Sequence, residues 1–198
     1  MKKVGVVVEG PSDLLFWNRL LNRKFSRYNY LFQVRSLKGS DRLIQEAPEL
    51  TNSFRKAQYH SAIFILDADK AQCPGEVLAR FDKGFLEEIR RSRPAERFAH
   101  IFVAFREIES WILADEDCVR SLLDFPGYIA QVQKPSLGGK AKLLRLCKEH
   151  GAFPVGMQDL EFARQAAACF DPIQVKIHSP SFAHFWERLN SRLHTPES

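Results

Sequence analysis

Three acidic residues follow apolar runs of the sequence and could bind a metal ion. Glu9 comes directly after the run at 4–8, Asp67 ends the run at 62–67, and Asp69 lies two residues further along. Carboxylates that meet in one crevice repel each other unless a cation lies between them. Ligands that offer only oxygen atoms suit Mg²⁺ or Mn²⁺. The three residues therefore predict a Mg²⁺ (or Mn²⁺) site.

The acids can meet if the apolar runs are parallel strands, because ligands of parallel sheets bind at the carboxyl ends of the strands. The run VGVVV is too apolar to alternate, which is typical of a strand covered on both faces. Strand patterns alternate with helical patterns, which predicts an α/β fold with a four-stranded parallel, Rossmann-like sheet flanked by helices. We predict strands at 4–8, 31–37, 62–67 and 98–105, and helices at 14–25, at 41–57 with an interruption at Pro48, and at 76–92.

The last part of the chain is predicted to be mostly helical. We divide the chain into an α/β core at 1–105 and a helical extension at 106–198, which either packs on the core or forms a small cap. The extension is predicted to contain an edge segment followed by a helix within 106–123, a loop at 125–140, and helices at 141–150, 158–170 and 180–193.

Composition limits the classes of protein that are possible. The 198 residues are 45% hydrophobic, so the chain can bury a sizeable core. Its apolar runs are far shorter than the roughly 20 residues that cross a bilayer, so we expect no membrane insertion. The net charge of +5 favours a polyanionic partner only weakly. The four cysteines show neither CxxC nor Cys/His metal spacing, which predicts reduced thiols in a cytoplasmic protein without disulfides or zinc.

Two motifs resemble those of the TOPRIM domain family. VVVEGPSD ends a strand in Glu-Gly, and FILDADK ends a later strand in Asp-x-Asp. The resemblance covers about residues 3 to 105. It implies a four-stranded parallel sheet of the kind found in topoisomerases, bacterial primases and nucleases of the overcoming-lysogenization-defect (OLD) kind. It also implies that Glu9 is catalytic, that Asp67 and Asp69 bind metal, and that Gly10 and Gly39 lie in the turns after the first two strands.

The segment FREIESWILAD and the C-terminal SPSFAHFW are similar to small uncharacterised TOPRIM-like bacterial proteins. Those proteins often occur beside ATPase partners in gene pairs of the phage-defence type, which implies an ATPase partner here. The nuclease relatives carry further acids that support a second metal ion. Glu107 and Glu109 are the candidates for that role in this chain.

These residues are consistent with phosphodiester hydrolysis by a metal-dependent nuclease. Lys38, Lys70 and Arg106 flank the same strand ends, so we predict that they contact nucleic-acid phosphates. Gly10 and Gly39, in the turns after the first two strands, are predicted to take part in the same phosphate contacts. The chain lacks room for the tyrosine-bearing domain of a topoisomerase or the template-binding apparatus of a primase. The alternative to a nuclease is a non-catalytic interaction or regulatory module that keeps the sheet as a scaffold. DNA, RNA and nucleotide substrates stay open, as does the oligomeric state.

Overall fold

A parallel sheet of four strands forms the centre of the protein. The computed structural model describes residues 1–68, 71, 73–93, 96–104, 108–125, 139–151 and 158–193. The strands lie in the order β2-β1-β3-β4, and every neighbouring pair is parallel. The predicted α/β fold class is confirmed, and each strand lies within two residues of its predicted bounds. The strands are β1 Lys2–Val8, β2 Tyr30–Ser36, β3 Ser61–Asp67 and β4 Ala99–Ala104.

The helices between the strands correct two predictions. α2 continues through Pro48, because its apolar face is buried along the whole helix and outweighs the single backbone hydrogen bond that proline cannot donate. The predicted helix at 76–92 is two helices: the first ends at Leu78, and Asp82 caps the second by accepting from the Phe85 N–H at 2.8 Å. The elements are α1 Pro11–Phe25, a 3-10 turn at Ser26–Tyr28, α2 Ser40–Lys56, α3 Pro74–Leu78 and α4 Lys83–Arg91.

The C-terminal part contains two features that the sequence patterns did not predict. No edge segment is present in the described part of 106–123; residues 108–112 are helical instead. An additional short helix begins at Pro172, where Asp171 caps it by accepting from the Ile173 N–H at 3.2 Å. The helices are α5 Ile108–Ile112, α6 Glu116–Leu123, α7 Gly139–Glu149, α8 Gln158–Cys169, α9 Pro172–His178 and α10 Pro180–Leu193.

Both faces of the sheet are covered, as the unbroken apolar strands predicted. Alternate residues of β1 and β3, such as Val6 and Ile63, pack against α1 and the C-terminal helices. Val7 and Phe64 point to the opposite face and pack against α2, α3 and α4. Residues from both predicted parts, 1–105 and 106–198, thus share the first of these two apolar cores; the boundary between the parts stays a prediction.

The connections place the switch point of the sheet between β1 and β3. The chain passes from β1 to β2 through α1 on one face, and from β2 to β3 through α2 on the other. Connections of one hand must change faces when they change direction across a parallel sheet. The carboxyl ends of β1 and β3 therefore border the crevice where open α/β sheets bind ligands.

One cysteine pair contradicts the expectation of four reduced thiols. Cys118 of α6 and Cys169 of α8 form a disulfide with their Cα atoms 4.9 Å apart. The two cysteines are 51 positions apart in the sequence without a recognisable cysteine motif, and the packing of α6 against α8 brings them together. Cys73 and Cys147 are free. No helix in the described ranges is long and apolar enough to cross a membrane.

Candidate metal and phosphate site at the strand ends

Glu9 and Asp67 meet at the carboxyl ends of adjacent strands. β1 and β3 pair directly, and each acid lies at or just beyond the end of its strand. The Asp67 backbone N–H donates a hydrogen bond of 2.9 Å to Oε1 of Glu9. Both residues are half-buried, and Oδ1 of Asp67 is fully buried. The structure thus brings together two of the three residues predicted to form the metal site.

The turn after β2 is fastened to the same strand end. The Gly39 N–H donates to the Glu9 carbonyl oxygen at 3.0 Å, and the Leu37 N–H donates to that of Val8 at 3.1 Å. Gly39 has φ of +125°, a conformation that side chains disfavour, which explains a glycine here. Lys38 is exposed beside it, also with positive φ. Gly39 and Lys38 therefore lie next to Glu9, and their predicted role in phosphate binding stays a prediction.

The start of α1 follows Glu9 without a gap. Gly10 is the N-cap residue, and its N–H donates to Oδ2 of Asp13 at 2.8 Å. The Gly10 carbonyl oxygen accepts from the Leu14 N–H at 3.0 Å. Asp13 thus stabilises the first turn of α1, and its negative charge also interacts favourably with the positive end of the helix dipole. This contact fixes the backbone immediately after Glu9.

Glu109 of α5 lies close to this first turn. Glu109, Asp13 and Lys140 line one small cavity of about 40 Å³, together with apolar side chains of α1, α5 and α8. No sequence pattern assigns Lys140 to the site, because it falls at the end of the predicted loop at 125–140; the glycine pair directly before an amphipathic helix is the available signal. Glu109 is therefore near the Glu9 end of β1, and its predicted metal-binding role stays a prediction.

Gly139 allows α7 to approach α5 closely. A Cβ atom at Gly139 would lie 2.5 Å from the backbone nitrogen of Ser110, the residue after Glu109. Only glycine permits this contact without moving one of the two helices. The position of Glu109 beside Lys140 therefore depends on the absence of a side chain at Gly139.

Four predicted site residues lie outside the described residues, so their predictions stand as made. They are Asp69, Lys70, Arg106 and Glu107. Within the described ranges, no group of three or more acidic, histidine or cysteine residues is arranged to hold a metal. The described acids nevertheless suit Mg²⁺ chemically, because they offer only oxygen atoms. The hydrogen bond from Asp67 takes one of the roughly four acceptor positions of the Glu9 carboxylate.

The fold and the strand-end acids define an α/β protein with a parallel sheet and a helical C-terminal part. The structure is similar to the C-terminal region of the OLD protein of Burkholderia pseudomallei, with 14% identity, a TM-score of 0.51, and coverage of 96% of this chain and 98% of that one. It also matches the C-terminal region of the OLD protein of Xanthomonas campestris pv. campestris, with 16% identity, a TM-score of 0.48, and coverage of 98% and 96%. At 14% identity, the likeness to the Burkholderia pseudomallei protein shows a shared fold and nothing beyond it.

The chain belongs to the DUF4276 family, a domain of unknown function, whose model matches residues 8–190. No curated protein matches the sequence.

Proposed function

We propose that this chain is a Mg²⁺-dependent nuclease that hydrolyses phosphodiester bonds. The observation that carries the proposal is the contact between the Glu9 carboxylate and the Asp67 backbone, which joins two acids at the switch point of a parallel sheet. Such a crevice is where folds of this architecture bind their ligands. The fold shared with the C-terminal region of an OLD protein supports the same proposal.

The acids at the strand ends would hold the metal. Asp67 and Asp69 would supply oxygen ligands, and Glu9 would either complete the coordination or accept a proton from the attacking water. Glu107 or Glu109 would serve a second ion. When bound, Mg²⁺ would polarise the scissile phosphate and offset the charge that develops on it.

Basic residues near the strand ends would position the substrate. Lys38 is exposed in the turn that is bonded to Glu9, where its ammonium group can reach a phosphate. Lys70 and Arg106 are proposed for the same role from their places in the sequence. Gly10 and Gly39 are proposed to bind the phosphate backbone from the turns beside the strand ends. Contacts of this kind position a nucleic acid without reading its sequence.

Cleavage of plasmid DNA with Mg²⁺ or Mn²⁺ tests the proposal, with a single-stranded RNA substrate in parallel. We expect nicking by the wild-type protein and its loss in Asp67→Asn, which removes the charge and preserves the shape of the side chain. Glu49→Gln is the matched control, because Glu49 is an exposed acid on α2. Intact substrates under all metal conditions, or equal cleavage by Asp67→Asn, would contradict the proposal.

We further propose that the nuclease acts in the cytoplasm as the effector of a phage-defence system with an ATPase partner. This rests on the resemblance to small TOPRIM-like proteins. Co-expression of this protein with the product of the neighbouring gene tests the proposed ATPase partnership. We expect co-purification and a rise in cleavage when ATP is added, whereas cleavage that is independent of the partner would remove the ATPase from the proposal.

A further inference from the structure

An open groove lies beside the Cys118–Cys169 disulfide, between α1, α6 and α8. Its volume is about 410 Å³, within the range of roughly 300–1,000 Å³ that small-molecule sites occupy. None of the described residues that line it is acidic, and none also lines the small cavity beside Glu109. The residues that give it its chemistry are Arg19 of α1, Leu122 of α6, and Arg164, Gln165 and Cys169 of α8. We call these five residues the disulfide groove.

The disulfide groove gives access to one sulfur of the disulfide. Cys169 lines the groove and is half-buried, whereas Cys118 is only 1% exposed. Disulfides are opened by a thiolate that attacks one of the two sulfur atoms and displaces the other. A small thiol in the groove can therefore reach the sulfur of Cys169, and Cys118 is then the leaving group.

Two arginines give the disulfide groove a positive charge. Arg19 is exposed and forms no ion pair within the described residues. Arg164 donates two hydrogen bonds to Glu161, of 2.8 Å and 2.6 Å. These bonds, the one from Gln165 and, to a smaller extent, the charge of Arg19 lower the pKa of Glu161 to about 2. One carboxylate thus serves two guanidinium groups, which leaves Arg19 able to bind a further anion.

The end of α8 is also compatible with an anion. The C-terminus of a helix carries a partial negative charge, which repels anions. Arg23 of α1 donates to the Ala168 and Phe170 carbonyl oxygens, so a guanidinium group offsets that charge next to Cys169. The two acids in the first turn of α6 are paired within that helix, with Arg120.

We propose that the disulfide groove binds a small thiol that carries carboxylate groups and that this thiol opens the Cys118–Cys169 bond. Arg19 and Arg164 hold the carboxylates, and the thiolate sulfur forms a bond to the Cys169 sulfur. The Cys118 sulfur leaves with the electron pair and takes up the proton that the thiol has lost. A second thiol molecule then attacks the sulfur of the first, which releases the Cys169 thiol.

The balance of this reaction is two thiol molecules oxidised to one small disulfide and two protein cysteines reduced. It removes the covalent link between α6 and α8. The inference is independent of the proposed nuclease activity, because no residue at the strand ends takes part.

Rates of disulfide exchange test the inference. The probes are 3-mercaptopropionate, which carries a carboxylate, and 2-mercaptoethanol, which is neutral, at equal thiolate concentration and low ionic strength. Mass spectrometry of acid-quenched samples follows the mixed disulfide, and peptide maps identify the cysteine that carries it. The denatured wild-type protein gives the preference of the same disulfide between the two thiols without the groove.

Three variants locate the effect. Arg19→Gln is the main variant and Arg164→Gln the second. Arg145→Gln is the matched control, since Arg145 is an exposed helical arginine paired with a glutamate, as Arg164 is. Thermal unfolding checks that each variant is folded.

We expect the folded wild type to favour 3-mercaptopropionate by roughly two- to fivefold more than the denatured protein does, the factor that one exposed ion pair contributes. Arg19→Gln should lose most of this preference and Arg145→Gln should keep it, with the adduct on Cys169. Equal preferences in the folded and the denatured wild type overturn the inference, as does a preference that both Arg19→Gln and Arg164→Gln retain. An adduct on Cys118, or a peptide map of the wild type without the Cys118–Cys169 bond, also overturns it.

Discussion

Asp67 contacts Glu9 through its backbone N–H, at 2.9 Å from Oε1 of the glutamate. The hydrogen bond therefore fixes the Glu9 carboxylate at the end of the neighbouring strand without using the Asp67 side chain. Structure and proposed chemistry place different demands on Glu9: the fold needs an acceptor atom there, whereas metal binding needs a negative charge.

Substitutions at Glu9 should separate these two demands. Glu9→Gln keeps a carbonyl oxygen for the Asp67 N–H, so we expect stability near that of the wild type and loss of cleavage. Glu9→Ala leaves the N–H without its acceptor and should lower the free energy of unfolding by about 1–2 kcal/mol, with the same loss of cleavage. Urea unfolding and plasmid nicking measure the two effects. Equal destabilisation by both variants would show that the charge, and not the acceptor, stabilises this contact.

Gly139→Ala should disturb the neighbourhood of Glu109. The added Cβ would lie 2.5 Å from the Ser110 backbone nitrogen, so α5 and α7 must separate, at a cost of about 1–3 kcal/mol. Gly75→Ala is the control, since a Cβ at Gly75 meets only the Cys73 sulfur, at 3.4 Å. Urea unfolding gives the stability, and cleavage under native conditions gives the effect on the site. A Gly139→Ala protein as stable as the Gly75→Ala control would contradict the close approach of the helices.

The stability of the protein should fall in acid, in part because of His100. Burial and three nearby arginines lower the pKa of His100 from 6.5 to about 3 in the folded state. Between these values the unfolded chain binds more protons, so stability falls as the pH decreases from 6.5 towards 3. Each unit of pH in this range lowers the free energy of unfolding by up to about 1.4 kcal/mol.

The His100→Gln variant isolates this contribution, because a neutral amide does not titrate. Urea unfolding at several pH values should give a shallower decline for the variant than for the wild type between pH 6.5 and 4. Carboxylates titrate in both proteins and cancel in the difference. Parallel pH profiles would mean that His100 has the same pKa in the folded and the unfolded protein.

The Cys118–Cys169 disulfide should stabilise the C-terminal helices. Its two cysteines are 51 residues apart, and closing a loop of that length corresponds to about 4 kcal/mol in the chain-entropy model. We expect dithiothreitol to lower the free energy of unfolding by up to that amount, and to have no such effect on a Cys118→Ala, Cys169→Ala double variant. Thiol titration of the denatured protein should find two free thiols without reductant and four with it. Four thiols in both samples would show that the bond is absent, as expected of a reducing cytoplasm.

The central sheet was predictable from sequence because its strands are buried on both faces. Continuous β-branched and apolar runs, such as 4–8 and 62–67, have few alternatives to a covered parallel strand. The acids that end them, Glu9 and Asp67, were equally visible, since the ends of parallel strands meet at one edge. Local sequence patterns were therefore enough to predict the central strands and the acids at their ends.

Features that depend on long-range packing were not predictable in the same way. α2 is uninterrupted because its burial against the sheet outweighs the tendency of Pro48 to break a helix. Lys140 approaches Glu109 because Gly139 allows α5 and α7 to pack closely. No spacing in the sequence predicts that contact. The Cys118–Cys169 pair likewise requires α6 and α8 to be neighbours.

The burial of α1 by the end of the chain has a consequence for biosynthesis. Trp17 of α1 packs against Trp111 of α5 and Phe185 of α10, and α8 lies along the same helix. At about 5–20 residues per second, a ribosome adds the missing helices on the order of ten seconds after α1 has been made. During that interval the nascent chain presents an uncovered aromatic surface, which makes it a client for chaperones that bind exposed apolar segments.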